Sequence, residues 1–450
     1  MLRCEFRHDD FDWLKYGRMW DSGLSVWYSP TGLTTLWNGI FLAVYRVAHL
    51  QPALYYAAII VGHALATSGV LWAAYELTQD RLVALLTALF FGLFWQHHEV
   101  ITWIAVGYRP VAMLCIMACI ASYARSRRLA SRRWLFLSTL AAVGALLSKE
   151  DAVSLFIAMP LVSLVVPREP QQNIKSVVTL EYLILAAVFL IYVALQVMTG
   201  NRQGAVEVGE QKMYAVGPHM ASNLIFCVPQ MLVPDLSFVT YQEFLGRLGA
   251  SSAMREFLQR ASIVACGLLS LSALVFVWKG SARIRFCILW CYIMYLPFMP
   301  FTPDLARAPR YLYTGTFGLA LLFGLGAAHW LHKSHAHTQK KAIWSVIGIF
   351  FLANVAFLLL IQKNRVRDSR VRQAITMQTL RVVVRPQPDS RVIMLGIPDH
   401  LIDLTQGISL RLDVPVEAGA SPTILSKRDA YIVRVGNAPD YEAQLVQVPR

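Results

Sequence analysis

The chain opens Met1-Leu2-Arg3-Cys4-Glu5-Phe6-Arg7-His8-Asp9-Asp10-Phe11-Asp12-Trp13-Leu14-Lys15-Tyr16. Three carboxylates, Asp9, Asp10 and Asp12, stand among aromatic side chains ahead of a long series of apolar runs. A solvated tail is the plain reading of this stretch taken alone. A carboxylate pair at a membrane surface is costly unless it is solvated, paired or used, so the character of the remaining chain decides how it is read.

That character is a membrane protein's. Of 450 residues, 56% are hydrophobic and only 15% charged, and runs of about 17–22 apolar residues between short basic breaks read as spanning helices. The net charge of +14 would suggest nucleic acid in a soluble protein. Here the basic residues crowd short loops, as anionic lipid and the positive-inside rule produce, so membrane lipids are the expected partners and nucleic acid is not. Cys115/Cys119 and Cys287/Cys291 have helical spacing and no histidine companions, and read as small packing residues.

After Ser29-Pro30-Thr31-Gly32, the stretch from Leu33 to Leu50 reads as an interfacial amphipathic helix. Spans follow at 54–77, 82–95, 108–124, 134–147, 151–166 and 177–197; after an interruption at 198–258 come 259–279, 284–300, 309–330 and 341–362. The fold class is therefore an all-α polytopic membrane protein of about ten spans. Beyond them, short β-like runs at Leu380–Val384, Val392–Leu395, Ile408–Val414 and Tyr431–Val435 predict a small strand-containing extramembrane domain. The expected division is 1–53, acidic loop and interfacial helix; 54–362, membrane domain; 363–450, C-terminal domain.

Ten spans put both termini on one side. The loops of the opposite side carry Arg81; Arg125, Arg127, Arg128, Arg132 and Arg133; Arg168 and Lys175; Lys279, Arg283 and Arg285; and Lys333, Lys340 and Lys341. The short terminus-side loops carry only Arg109, Lys149, Arg307 and Arg310. Positive-inside then places the acidic stretch, the 198–258 loop and the tail outside the cytoplasm. Lys363, Arg365, Arg367, Arg370 and Arg372, just after the last span, run against that bias. An outside start with no apolar segment before Asp9 leads to the expectation of an upstream helix that this sequence lacks.

Polar residues gather at the outer span ends. His97-His98-Glu99 opens one loop; adjacent ligands do not converge on one ion from a helix, and there is no H-E-x-x-H spacing, so capping or a supporting network is the expected duty. Lys149-Glu150 can form an interfacial ion pair. Lys149, Arg109 and Arg310, as isolated cations at one depth, would together make a cationic ring suited to a phosphate. A carboxylate that takes a proton from a hydroxyl, opposite cations that stabilise a departing phosphate, is what glycosyl transfer from a lipid phosphate needs. A transporter or lipid flippase is the competing class; few mid-helix charges and no paired broken helices count against it. A non-catalytic membrane partner is the third.

The ordered series Asp9-Asp10, Tyr55 to His63, His98-Glu99 with Trp103-Ile104, Leu147-Ser148-Lys149-Glu150, Ser222-Asn223-Leu224 with Pro229, and Arg310-Tyr311-Leu312-Tyr313 resembles the GT-C superfamily of polytopic glycosyltransferases. That class includes the protein O-mannosyltransferases and the aminoarabinose lipid A transferases. The series looks closest to the transmembrane and tetratricopeptide O-mannosyltransferase branch and its bacterial relatives, although the tail has no 34-residue repeat. The resemblance implies a polyprenyl-phosphate-linked sugar as donor, transferred with inversion to a hydroxyl acceptor on the non-cytoplasmic face, in a bacterial inner membrane with a periplasmic site. It makes Asp10 the expected general base and Asp9 its partner, or the holder of a divalent ion (magnesium or manganese) if one is used. Lys149, Arg109 and Arg310 become the donor-phosphate residues, with His98, Glu99, Glu150 and Tyr311 in support.

Overall fold

The computed structural model describes residues 4–27, 33–166, 174–198, 207–208, 211–212, 216–233, 249–384, 386–387, 390–395, 397, 401–419, 430–436 and 443–447. Ser29 to Gly32, parts of the 198–258 loop (199–206, 209–210, 213–215 and 234–248), and Gly396, Pro398 and Asp399 lie outside them. The chain folds as helices α1 (Asp10–Asp21), α2 (Thr35–Ala48), α3 (Pro52–Thr78), α4 (Arg81–Leu93), α5 (His98–Thr102), α6 (Tyr108–Leu129), α7 (Arg132–Leu146) and α8 (Ser154–Val165). Then come α9 (Ile174–Met198), α10 (His219–Cys227), α11 (Ser252–Lys279), α12 (Ala282–Tyr295), α13 (Pro303–Ala306), α14 (Thr316–Lys333), α15 (His337–Val382) and α16 (Leu404–Leu412). Each expected span coincides with one of these helices. Among the described residues, four stretches are long and apolar enough to cross a membrane: α3, Ile104–Leu129, α11 and α15. Arg81–Leu93 and Ala186–Met198 are apolar but shorter.

Local chemistry sets the helix ends. Pro52 sits in the first turn of α3, where its fixed φ suits a helix start and its missing N–H costs nothing. Asp80 opens α4 by accepting from the N–H of Leu82 at 2.8 Å and of Val83 at 3.2 Å. Small residues then bring the helices together: a Cβ on Gly69 of α3 would lie 3.1 Å from Met117 Cβ of α6. Lipid supplies no hydrophobic drive between helices, so close backbone approach and dispersion hold the bundle.

A second core, made of aromatic rings, fastens the acidic stretch to the bundle. Phe6, Trp13, Trp20, Trp37, Phe41 and Tyr55 are buried together. Phe6 meets Tyr55 edge-on at 5.5 Å between centroids, and Phe41 meets Tyr55 at 5.4 Å. Helices α1 and α2 are thus packed against the bundle by aromatic contacts.

The C-terminal part corrects two expectations. Leu380–Val384 is not a strand: α15 continues from the apolar region through position 363 to Val382, burying Ile375, Thr376 and Thr379 along one face. Ile408–Val414 is not a strand either, because Leu404, Thr405 and Ile408 of α16 form a buried helical stripe against the sheet. Short β-branched runs do not separate a strand from a buried helix. The other two runs are strands. β1 (Glu207–Val208) and β2 (Gln211–Lys212) form a small antiparallel pair. β3 (Arg391–Leu395), β4 (Val416–Gly419), β5 (Ala430–Val435) and β6 (Ala443–Gln447) make a sheet ordered β4-β3-β5-β6, with only β6 antiparallel to its neighbour.

This domain sits directly on the acidic stretch. Asp403 Oδ2 accepts from the N–H of His8 at 2.7 Å, while Arg372 Nη1 donates to both Asp403 oxygens at 2.9 and 2.7 Å. Arg411 pairs with Glu5 at 3.4 Å and Arg18 with Asp413 at 2.9 Å. Gly407 touches the ring of Phe11 so closely that any side chain there would collide. The acidic stretch and the C-terminal domain therefore share one end of the molecule, and Arg372 of the basic cluster after the last span is engaged there with protein carboxylate.

Candidate active site

The two adjacent aspartates are placed differently. Asp10 is fully buried, and its oxygens accept from the N–H of Arg7 at 3.0 Å and of Ala105 at 2.6 Å. Burial pushes it up to about 7, against the pull of Arg7 and those two N–H groups. Asp9, at the start of α1, is exposed and makes no capping hydrogen bond. Partial desolvation and then Asp12 raise its pKa, with Arg310 the first of the cations that oppose the rise. Asp10 thus anchors the loop through two backbone N–H groups, while the Asp9 side chain is exposed.

The three expected cations are brought together, each sharing an aromatic ring with the next. Arg310 Cζ lies 4.9 Å from the centroid of Trp103 and 4.7 Å from that of Tyr311. Arg109 Cζ stands 5.2 Å from the Tyr311 centroid, and it also lies 5.0 Å from Phe298 and 5.4 Å from Tyr108. Lys149 Nζ follows at 5.0 Å from Tyr108. Each such contact contributes about 2 kcal/mol when desolvated, and the rings hold like charges apart. At the far end Arg7 Cζ sits 5.1 Å from Trp103.

None of the three is isolated, which corrects that expectation. Arg109 donates to Asp151 Oδ2 at 2.6 Å, Arg310 to Glu99 Oε2 at 3.2 Å, and Lys149 to Glu150. A buried cation without a counter-charge would carry its full desolvation cost. Burial alone would raise Glu99, but Arg310 and then His98 and Arg7 hold it below the usual carboxylate range. Burial alone would lower Lys149, but Glu150 first, then Tyr108 and Asp151, raise it. Both stay charged at neutral pH. Even so, Nε and Nη2 of Arg109 are buried with no hydrogen-bond partner among the described residues, as are Nε and Nη2 of Arg7. Two guanidiniums thus keep unused donors beside the same row of rings, the provision an anion needs.

The histidine triplet diverges. His97 Nε2 pairs with Thr316 Oγ1 at 2.8 Å, His98 Nδ1 with the carbonyl of Trp95 at 3.2 Å, and Glu99 turns to Arg310. Burial pushes His98 down to about 4, so it is neutral. Asn223 fastens α10 to the site by donating to the carbonyls of Met299 and Phe301, both at 2.9 Å. Among the described residues no three His, Cys, Asp or Glu side chains gather as a metal-ligand set, and Asp10, the nearest neighbour of Asp9, is committed to two backbone N–H groups. The described residues around Asp9 therefore supply no ligand set for a divalent ion. Sequence reasoning missed Arg7 and Phe298; the only signal for Arg7 was its place two residues before the aspartate pair.

Beside this row, Tyr311 and Phe298 belong to an apolar cluster that includes Val228, Met231 and Cys291. The same three residues line a cavity of about 180 Å³ between α11, α12 and α14.

The fold is that of the GT-C polytopic membrane glycosyltransferases, and the chain is an integral membrane protein. The similar solved structures include ArnT from Cupriavidus metallidurans bound to undecaprenyl phosphate, with TM-score 0.52 and 11% identity over 98% of this chain and 83% of that one. The apo form of ArnT matches with TM-score 0.49 and 11% identity over 94% and 82%. The Archaeoglobus fulgidus oligosaccharyltransferase in complex with Zn and sulfate matches with TM-score 0.47 and 11% identity over 93% and 59%. No family model and no curated protein matches the sequence.

Proposed function

We propose that this chain transfers a sugar from a polyprenyl-phosphate-linked donor to a hydroxyl acceptor on the non-cytoplasmic face of a bacterial inner membrane. The observation that carries the reading is the row Arg310, Arg109, Lys149, interleaved with rings and ending near the exposed Asp9. The donor phosphate engages Arg109 through its unused N–H groups, with Arg310 and Lys149 beside it. The isoprenoid chain runs into the apolar cavity along Met231 and Cys291. Undecaprenyl phosphate in the ArnT structure is consistent with such a ligand.

In the reaction the acceptor oxygen attacks the anomeric carbon as its proton passes to the Asp9 carboxylate. The bond from that carbon to the phosphate oxygen breaks, and the electron pair leaves with the phosphate, whose charge the cations stabilise. Asp10 does not touch the reactants: it holds the loop so that Asp9 faces the row. The face is assigned from the loop charge bias. Chain reconstituted with labelled polyprenyl-phosphate sugar should bind it and yield labelled product plus polyprenyl phosphate. Unchanged donor binding after replacing Arg109, Arg310 and Lys149 together by glutamine would overturn the assignment.

A further inference from the structure

At the end of the bundle away from the acidic loop lies a second, polar-rimmed cavity of about 490 Å³. Its position follows from helix direction. The C-terminal end of α4 leads into His97–Glu99 and the N-terminal end of α14 follows Arg310–Tyr313, so the start of α4 and the end of α14 lie at the far side. Eighteen residues of α14 put the two ends about 27 Å apart.

Glycines build the space. Gly318 lets α14 press against the Cys287 carbonyl of α12, and at Gly324 a Cβ would lie 2.7 Å from the Val83 carbonyl of α4. Two residues on, a Cβ at Gly326 would meet nothing within 4 Å. The helix is therefore clamped on two sides and then opens onto a void between the start of α4 and the α11–α12 turn. Ile284, Leu322 and Leu325 form an apolar wall, and the rim carries Arg283, Ser281, His329 and His332.

One carboxylate faces the same space. Asp80 stands 3.4 Å from His332 Nε2, but its other oxygen accepts from the N–H of Leu82 and Val83 at the start of α4. The rest of the polar rim offers donors: a guanidinium fork, two imidazoles and a hydroxyl. We propose that this cavity binds the phosphodiester headgroup of an anionic phospholipid. The phosphate meets Arg283 and the two histidines, and the first acyl carbons lie along Leu322 and Leu325. The apolar wall and the place at the ends of membrane helices favour a lipid over free phosphate, as in basic pockets between transmembrane helices generally. The proposal is independent of the transferase reading.

Native mass spectrometry of the full chain in detergent tests it, with phosphatidylglycerol and phosphatidylcholine of the same acyl chains and with inorganic phosphate as competitor. Phosphatidylglycerol should be retained about tenfold better than phosphatidylcholine, the scale of one charged hydrogen-bonded contact. Arg283→Gln should remove that preference and Gly326→Leu should remove retention by filling the void. Gly348→Leu, at another glycine with open space around it, should change neither. Equal retention of the two lipids by the unaltered chain, a preference that survives Arg283→Gln, retention that survives Gly326→Leu, or displacement by millimolar inorganic phosphate would each overturn the proposal.

Discussion

The main-chain N–H of Ala105 donates to Oδ1 of Asp10 at 2.6 Å, joining residues 95 apart in sequence. The other Asp10 oxygen takes the N–H of Arg7, so one buried carboxylate secures the loop at two points. Asp10→Ala should leave both donors unpartnered, at a cost of about 1–3 kcal/mol each. The expected result is a clear drop in melting temperature and faster proteolysis before residue 20. Asp9→Asn should leave both unchanged.

Asp9 carries the chemical prediction. Removing a positioned base costs about 10²–10⁴-fold in rate, so Asp9→Asn should show that loss with normal membrane insertion. The pKa of Asp9 is raised by desolvation and then by Asp12, so the acid limb of activity should lie above the ordinary carboxylate range. Asp12→Asn removes a repelling charge, lowers the Asp9 pKa and should move that limb to lower pH. A limb that stays in place, or moves up, refutes the role.

Arg310 and Trp103 test the row of cations. Arg310→Lys keeps the charge but loses the planar fork that contacts Glu99, Trp103 and Tyr311, and donor affinity should fall about tenfold. Trp103→Ala removes the ring shared by Arg7 and Arg310 and should weaken the donor comparably, with Trp103→Phe intermediate. Isothermal titration with a polyprenyl-phosphate sugar measures both.

The Arg372–Asp403 pair holds the N–H of His8, the residue before Asp9, from the C-terminal domain. Asp403→Ala should therefore lower kcat and leave the donor KM nearly unchanged, because the loop shifts while the cations stay. Asp403→Asn, which can still accept from His8, should recover part of the rate. A rise in KM with kcat intact would place the effect at the donor instead.

Contact between the acidic stretch and the C-terminal domain fixes their relative side. Single cysteines at Glu417 and Asp12, both exposed, should label together from one side of the membrane, and one at Arg283 from the other. Labelling of positions 12 and 417 from opposite sides would contradict the fold.

Much of the architecture was legible in the sequence. The apolar runs, with Pro52 and Asp80 at their starts, give the helices and most of their ends, because length and hydropathy alone decide whether a backbone must satisfy itself within a helix. Leu380–Val384 and Ile408–Val414 were misread because a four- to seven-residue apolar run carries no periodicity that separates strand from helix. Ala430–Val435 and Arg391–Leu395 read correctly as buried strands bounded by turn-forming residues.

The site divides along the same line. Residue types and their order along the chain determined that an acidic loop and three cations would lie at one depth of a membrane bundle. Which aspartate is exposed was decided only by tertiary structure: Asp10 and Asp9 are neighbours in sequence, and it is Ala105, from a distant turn, that buries one and leaves the other open. The interleaving of Arg310, Tyr311, Arg109, Tyr108 and Lys149 was likewise invisible in the chain, since these residues come from three separate span ends. A charge in a membrane protein must be compensated by whatever packing brings to it, and packing is a property of the assembled helices, not of any one of them.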